Sequence, residues 1–186
     1  MSLPKSSVLD QISLDEWPKE IAEMKSGFAG RLKVYRVMAH HPALLKAWSD
    51  LRQHITTDSS LDRDQSEVVI LRSAMHLDSI YEWSHHISRA RALGMTDARI
   101  ASTRGDLSDM ERDDAVLSQA VDELMRDARL GPATRDMLME LVGKEGTLDV
   151  FATVGFYSTL GFIVNTFEIA IDENVAEELR TNPLDS

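Results

Sequence analysis

Apolar residues recur along this chain every three or four positions, the period of amphipathic helices, and hardly anywhere in strict alternation. Residues 31–40 read as a short helix that stops before His41-Pro42, because the residue preceding a proline is crowded out of the helical region. Pro42 then opens a second helix to about His54, with Leu44, Leu45, Trp48 and Leu51 on one stripe. Asp62 with Gln65 three positions on is an N-cap pair, and Val68, Leu71 and Met75 follow at core spacing. A break is expected near Leu77-Asp78, since Asp78 and Ser79 favour caps over helix interiors. The next helix then runs from about Ser79 to Leu93 and stops at Gly94. Thr96 caps a short turn, DARIAS. Ser108 and Glu111 read as a capping box for a helix to about Arg129, with Ala115, Leu117, Val121, Leu124 and Met125 as its stripe. Gly131-Pro132 starts another helix, and Thr147 opens a long apolar one to about Ile171. A tail helix, VAEELR, follows. No strand is predicted, so the fold class is an all-α bundle. Trp17, Ile21, Met24 and Phe28 lie at helical spacing in residues 1–30, with Pro18 in the first turn; this stretch is expected to form an N-terminal arm ahead of a helical domain over 31–186.

Composition narrows the function classes. The chain has 186 residues with 43% hydrophobic and 27% charged, which suits one soluble domain. Its net charge of −11 and lack of any Lys/Arg cluster argue against a nucleic-acid partner. There is no cysteine, hence no disulfide, thiolate nucleophile or thiolate metal site. The N-terminus lacks a basic segment followed by an apolar run, so no signal peptide is indicated and a cytoplasmic location is expected. Residues Val150 to Phe167 are free of charge for 18 positions, at the edge of spanning length. Polar side chains within that run and acidic flanks (Asp149, Glu168) favour a helix buried in a core or an oligomer interface over a membrane span. Asn165 within it is expected to be buried and to bond across an interface or face a cavity.

The candidate chemistry lies in residues 67–86. Glu67 is followed after eleven residues by Ser79, after two more by Glu82, and after three more by His86. On a helix beginning near Ser79, Ser79, Glu82 and His86 share one face, with Glu82 and His86 an i,i+4 pair. A carboxylate beside an imidazole favours the imidazolium and fixes its tautomer, a pairing suited to proton transfer. Two plainer readings stand beside this one. Ser79-x-x-Glu82 is itself a capping box, and Glu82–His86 fits a surface ion pair worth about 0.3–0.5 kcal/mol. His85 pairs with Tyr81 instead and reads as structural or exposed. His40 and His41 sit at a helix end, and His54 and His76 have no assigned role. Trp83, Phe156 and Tyr157 are candidates for an apolar pocket wall, though aromatics at this spacing more often form core. No H-E-x-x-H or second ligand pair is present, so neither a metal nor a cofactor is called for.

The stretch EVVILRSAMHLDSIYEWSHHISRARALGM resembles the signature of the carboxymuconolactone decarboxylase family, which includes the alkyl-hydroperoxidase D proteins. In the peroxidase branch the pattern is Glu, eleven residues, Cys, two residues, Cys, three residues, His; here Ser79 and Glu82 stand where the cysteines would be. GRLKVYRVMAHHPALLKAW is similar to the family's lead-in helices, and LDVFATVGFYSTLGFIVNTF to its closing helix. The resemblance covers roughly residues 30–172. It implies an alkyl-hydroperoxidase D-like bundle with a central helical hairpin in which Glu67 meets Glu82 and His86, and subunits that assemble as homo-oligomers. It points to Glu67, Ser79, Glu82 and His86 as catalytic residues. The expected function is that of a cofactor-independent lyase using Glu/His acid–base chemistry on a small carboxylate or lactone, with His86 as acid, Glu82 and Glu67 tuning it, and Arg72 as anion binder. The alternative is a non-enzymatic helical oligomer that binds a small ligand. Thiol peroxidase chemistry is excluded, since neither serine nor glutamate forms a sulfenic acid and a resolving disulfide.

Overall fold

The structure, a computed structural model, describes residues 9–184. Among these there is no β-strand. Nine helices follow in order: α1 (Phe28–Arg31), α2 (Lys33–Met38), α3 (Pro42–Gln53), α4 (Arg63–His76), α5 (Ile80–Ala92), α6 (Asp97–Ser102), α7 (Arg112–Asp127), α8 (Pro132–Thr166) and α9 (Glu173–Thr181).

Helix α4 is the axis of the bundle. It packs against α5, α7 and α8 at once, and every residue from Glu67 to Ala74 is buried. The Val68–Leu71–Met75 stripe expected from the sequence is therefore only part of what is covered; neighbours on three sides bury the whole circumference. Its N-terminus is the predicted capping box of Asp62 and Gln65, with the Asp62 amide donating to Gln65 Oε1 at 3.0 Å. Its C-terminus turns sharply. Asp78 takes a left-handed φ of 47°, a conformation that Asp tolerates better than most residues, and the Ser79 amide donates back to the Ala74 carbonyl at 2.9 Å. The break at Leu77-Asp78 makes α4 and α5 a helical hairpin. Helix α5 ends at Gly94, whose φ of 88° lets the Met95 amide reach back to the Ala90 carbonyl at 3.0 Å.

The hairpin separates two cores. One joins Val68, Leu71, Trp83, Leu117, Val121 and Leu138. The other joins Tyr35, Leu45, Tyr81, Phe156, Tyr157 and Leu160, and it also takes in Trp17 and Ile21 of the N-terminal segment. There the Trp17 indole donates to the Ile21 carbonyl at 2.7 Å.

Four local expectations need correction. Ser108 does not cap α7: Leu107–Asp109 forms its own 3-10 turn, and Glu111 is the N-cap residue, without a side-chain cap bond. The long apolar helix does not wait for Thr147. Gly143, at φ 71°, is the hinge within α8, and the apolar limb starts directly after it; the Thr147 hydroxyl donates to the Gly143 carbonyl at 2.7 Å. That limb ends at Thr166 rather than Ile171, because Glu168 adopts φ 50° and the Ile169 amide closes back on the Val164 carbonyl. Asn165 is exposed, and its amide caps the α4–α5 turn by donating to the Leu77 carbonyl at 2.8 Å. Helix α8 is long and apolar enough to span a bilayer, yet 56% of its apolar window is buried inside the fold, as in the core helix of a soluble domain.

Arg72 is not available to a ligand. It is buried, paired bidentately with Asp122 at 2.6 and 2.7 Å, and donates to the Thr103 and Gly105 carbonyls. Its expected role as anion binder gives way to a structural one: it ties α4 to α7 and to the turn after α6. Removing one partner of such a pair strands the other charge. Arg72→Ala is expected to destabilise the protein by about 3 kcal/mol in chemical denaturation. A loss below about 0.5 kcal/mol, the scale of an exposed pair, would contradict this assignment.

Candidate active site

The α4–α5 hairpin brings together residues that are far apart in the sequence. Glu67, on α4, places Oε2 2.6 Å from His86 Nδ1 on α5. His86 is 1% exposed, and the edge of its ring meets Tyr157 of α8 with centroids 4.9 Å apart. On the far side of the imidazole, Arg89 Nη1 lies 3.0 Å from Nε2. Arginine can only donate, so Nε2 accepts and the ring proton resides on Nδ1, where it is given to Glu67. Burial pushes the His86 pKa below its ordinary value; Glu67 works in the opposite direction without reversing it, and Arg89 reinforces the fall. The sequence led to an imidazolium here. The structure instead holds a neutral imidazole, oriented by a carboxylate at one nitrogen and presenting a lone pair at the other.

Glu82 lies one turn before His86. Its Oε2 is 3.7 Å from His86 Nε2, beyond a hydrogen bond, so the close partner of His86 is Glu67 and not the i,i+4 neighbour. Glu82 is 4% exposed and its Oε1 has no hydrogen-bond partner. Burial pushes its carboxyl up to about 7, partly offset by the Arg89 guanidinium and by His85. A carboxylic acid that retains its proton near neutrality beside a neutral imidazole is a donor–acceptor pair.

Ser79 stays outside this cluster. Its hydroxyl accepts the Glu82 amide at 3.4 Å, the N-cap of α5, and it lines neither of the cavities described below. Trp83 faces the other core, with Arg104 stacked 3.8 Å from its ring, while Tyr157 does reach the site and Phe156 stacks on Trp48 behind it. His85 is buried. Its Nδ1 meets the Tyr81 carbonyl at 2.8 Å and its Nε2 meets Asp172 Oδ2 at 2.9 Å. The Tyr81 hydroxyl donates to the same Asp172 oxygen, which the segment between α8 and α9 delivers.

Two spaces with four lining residues in common adjoin Glu82 and Glu67. An inner chamber of about 10 Å³, room for about one water, is walled by Tyr35, Tyr81, Glu82, His85 and Arg89. Burial raises the Tyr35 hydroxyl to about 12 and pushes those of Tyr81 and Tyr157 up as well, so these phenols stay neutral. An outer cavity of about 490 Å³ takes in Glu67, Ile70, Arg63 and Leu93. Arg52, Thr56, Arg89 and Tyr157 line both and mark where they meet. Arg52 is held with its guanidinium 4.1 Å from the Phe28 ring centroid. Sequence reading missed Arg89 and Arg52. Arg89 had a signal, since it lies three positions after His86 and seven after Glu82, on the same helical face. Arg52 had none; only the packing of α3 brings it here. Among the described residues no group of three His, Asp and Glu side chains is placed to hold a metal ion.

Residues 42–126 match the carboxymuconolactone decarboxylase family. The match holds the whole α4–α5 hairpin with Glu67, Glu82, His86 and Arg89. The matched segment is similar to this family. No curated protein matches it. Among solved structures, a cysteine-to-alanine variant of the debrominase Bmp8, in complex with 2,3,4-tribromopyrrole, has TM-score 0.73 and 12% identity, covering 95% of this chain and 98% of its own. An uncharacterized peroxidase-related protein from Silicibacter sp. TM1040 has TM-score 0.73 and 16% identity over 94% of this chain and 97% of its own. At these identities the likeness is one of fold. The chain has no cysteine, and Ser79 and Glu82 stand at the positions of the two cysteines in the peroxidase-branch pattern that this segment resembles.

The Glu82 carboxyl gives this site a measurable signature. Between its ordinary 4.5 and about 7, the folded protein keeps a proton that the unfolded chain has lost. Stability attributable to this group therefore falls as pH rises through that window. Glu82→Gln removes the titration, so the variant should gain about 1–3 kcal/mol relative to the parent on going from pH 5 to pH 8. Denaturant midpoints at the two pH values measure this; a variant-to-parent difference that does not change with pH would contradict a buried, raised carboxyl.

Proposed function

We propose that this protein is a cofactor-independent acid–base enzyme of lyase type, acting on a small carboxylate or lactone. The observation that carries the reading is the buried pair of Glu82, protonated up to about pH 7, and neutral His86, fixed by Glu67. The arginines at the junction of the two cavities supply the anion binders that Arg72 cannot. In the proposed reaction Arg89 and Arg52 hold a substrate carboxylate. The bond from that carboxylate to its neighbouring carbon breaks, CO₂ leaves, and the electron pair is delocalised into an adjacent carbonyl. Glu82 protonates the carbon, and a proton drawn from solvent, taken up at the bare Nε2 of His86 and passed on, restores the Glu82 carboxyl while Glu67 holds the ring. The sequence had assigned the acid to His86; the neutral ring and the raised carboxyl support the reverse division of roles. Ser79 contributes by capping α5 and so fixing where Glu82 stands.

His86→Ala tests this. The variant leaves Glu67 without its partner, and should cost about 1–3 kcal/mol while remaining folded. It should abolish CO₂ release or lactone consumption in a screen of small carboxylic acids and lactones turned over by the parent. Turnover unchanged in a folded His86→Ala protein would place the chemistry elsewhere.

The second part of the reading is a homo-oligomer. It is favoured by three large side chains exposed on the limb of α8 that follows Gly143: Leu148 at 65%, Phe162 at 60% and Phe151 at 39%. Light scattering at micromolar concentration should report more than one copy, and Phe162→Glu should shift the population toward the single chain. A monomeric parent protein would overturn this part.

A further inference from the structure

The outer cavity is larger and more apolar than a compact acid requires, and its polar groups are not evenly spread. On α5, Glu82, His86, Arg89 and Leu93 fall at i, i+4, i+7 and i+11, one continuous face. On α4, Arg63, Glu67 and Ile70 fall at i, i+4 and i+7, likewise one face. The two helices run antiparallel across the hairpin, so the N-terminal turn of α4 lies beside the C-terminal turn of α5. The line of groups therefore proceeds outward from Glu82 in the inner chamber, through Glu67 and Arg89, to Arg63 and Leu93 four residues further, roughly 6 Å along each helix. Glu67, Arg89, Arg63 and Leu93 line the outer cavity of about 490 Å³, and His86 is buried behind its wall.

The whole chain carries −11, yet this cavity is lined by three arginines, Arg52, Arg63 and Arg89, and a single carboxylate, Glu67, already committed to His86. Arg52 and Arg89 stand at the inner end and line both spaces, with Arg89 3.0 Å from His86 Nε2. Beyond them the wall is Ile55, Leu61, Ile70, Ala92 and Leu93, with the hydroxyls of Thr57, Ser59 and Ser66 between and Arg63 at the outer rim. An apolar wall gains from an apolar ligand body in proportion to the area it covers, and convergent polar groups at one end fix its orientation.

We infer that the ligand of this site is an elongated amphipathic carboxylic acid, with its carboxylate held inward at Arg89 and Arg52 and its apolar body lying outward along Leu61, Ile70 and Leu93. A compact dianion would leave the apolar half of the cavity unfilled; a neutral apolar molecule would leave the arginines without a counter-charge. This names the substrate class for the acid–base site and rests on that reading only for the chemistry, not for the binding.

The test is a calorimetric comparison of three probes on the full chain: acetate, succinate and 4-phenylbutyrate. 4-Phenylbutyrate is expected to bind at least tenfold more tightly than either of the others. Leu93→Ser changes a helix-end residue that is 40% exposed, so the fold is retained. It should remove most of the phenylbutyrate advantage and leave acetate affinity unchanged. Arg89→Gln should weaken all three probes together. Phenylbutyrate and acetate binding within twofold of each other, succinate binding more tightly than phenylbutyrate, or Leu93→Ser without effect on the ratio would each overturn the inference. Failure of the catalytic reading shows separately, as turnover that survives His86→Ala, and would leave these affinities untouched.

Discussion

The hydrogen bond between Glu67 and His86 is the constraint on which the site depends. A charged carboxylate and an imidazole are both expensive to bury alone, and each is buried here because the other is within 2.6 Å. The bond can form only if α4 and α5 turn back on one another, and that turn rests on Asp78 in a left-handed conformation with Ser79 as the N-cap. Once His86 Nδ1 is committed to Glu67, its other nitrogen is left as an acceptor facing Arg89, and Glu82 is left without a close partner. The raised carboxyl, the oriented imidazole and the guanidinium at the cavity junction are consequences of one pairing across the hairpin.

The fold was legible because it is written locally. The Asp62–Gln65 box, the Leu77-Asp78 break, Gly94, Thr96 and Pro132 each act over a few residues, and each marks a helix boundary that the structure contains. Where the reading failed, a competing local choice won. Ser108 was taken into a 3-10 turn, and Gly143, at a positive φ open only to glycine, hinged α8 four residues before Thr147. The apolar run of α8 suggested a helix with nowhere to bury Asn165 except a cavity or an interface. Instead Asn165 sits on the exposed side and caps the neighbouring turn.

The site was legible in its frame and not in its electrostatics. Helical spacing put Ser79, Glu82 and His86 on one face and could have flagged Arg89 there too, whereas the meeting with Glu67 was implied by the family resemblance alone. What it could not carry is burial. A sequence shows Glu82 and His86 as an i,i+4 pair of ordinary strength, and ordinary pairing predicts an imidazolium. Removing both from water reverses the preference: the carboxyl keeps its proton and the ring loses its own. Long-range partners were equally invisible. Asp172 reaches His85 and Tyr81 from the far end of α8, Asp122 claims Arg72 from α7, and Arg52 arrives from α3, none at a spacing that periodicity reports.

The central claim is that His86 is a neutral imidazole with its proton on Nδ1 and a bare, accepting Nε2 that faces Arg89. Nitrogen NMR of the side-chain-labelled protein at pH 7 tests this most directly, because protonated and bare imidazole nitrogens resonate far apart. The account predicts one protonated nitrogen, Nδ1, coupled to its hydrogen, and one bare nitrogen, Nε2, with Glu67→Gln disturbing the Nδ1 signal first. A ring protonated at both nitrogens, or one carrying its single proton on Nε2, would contradict it.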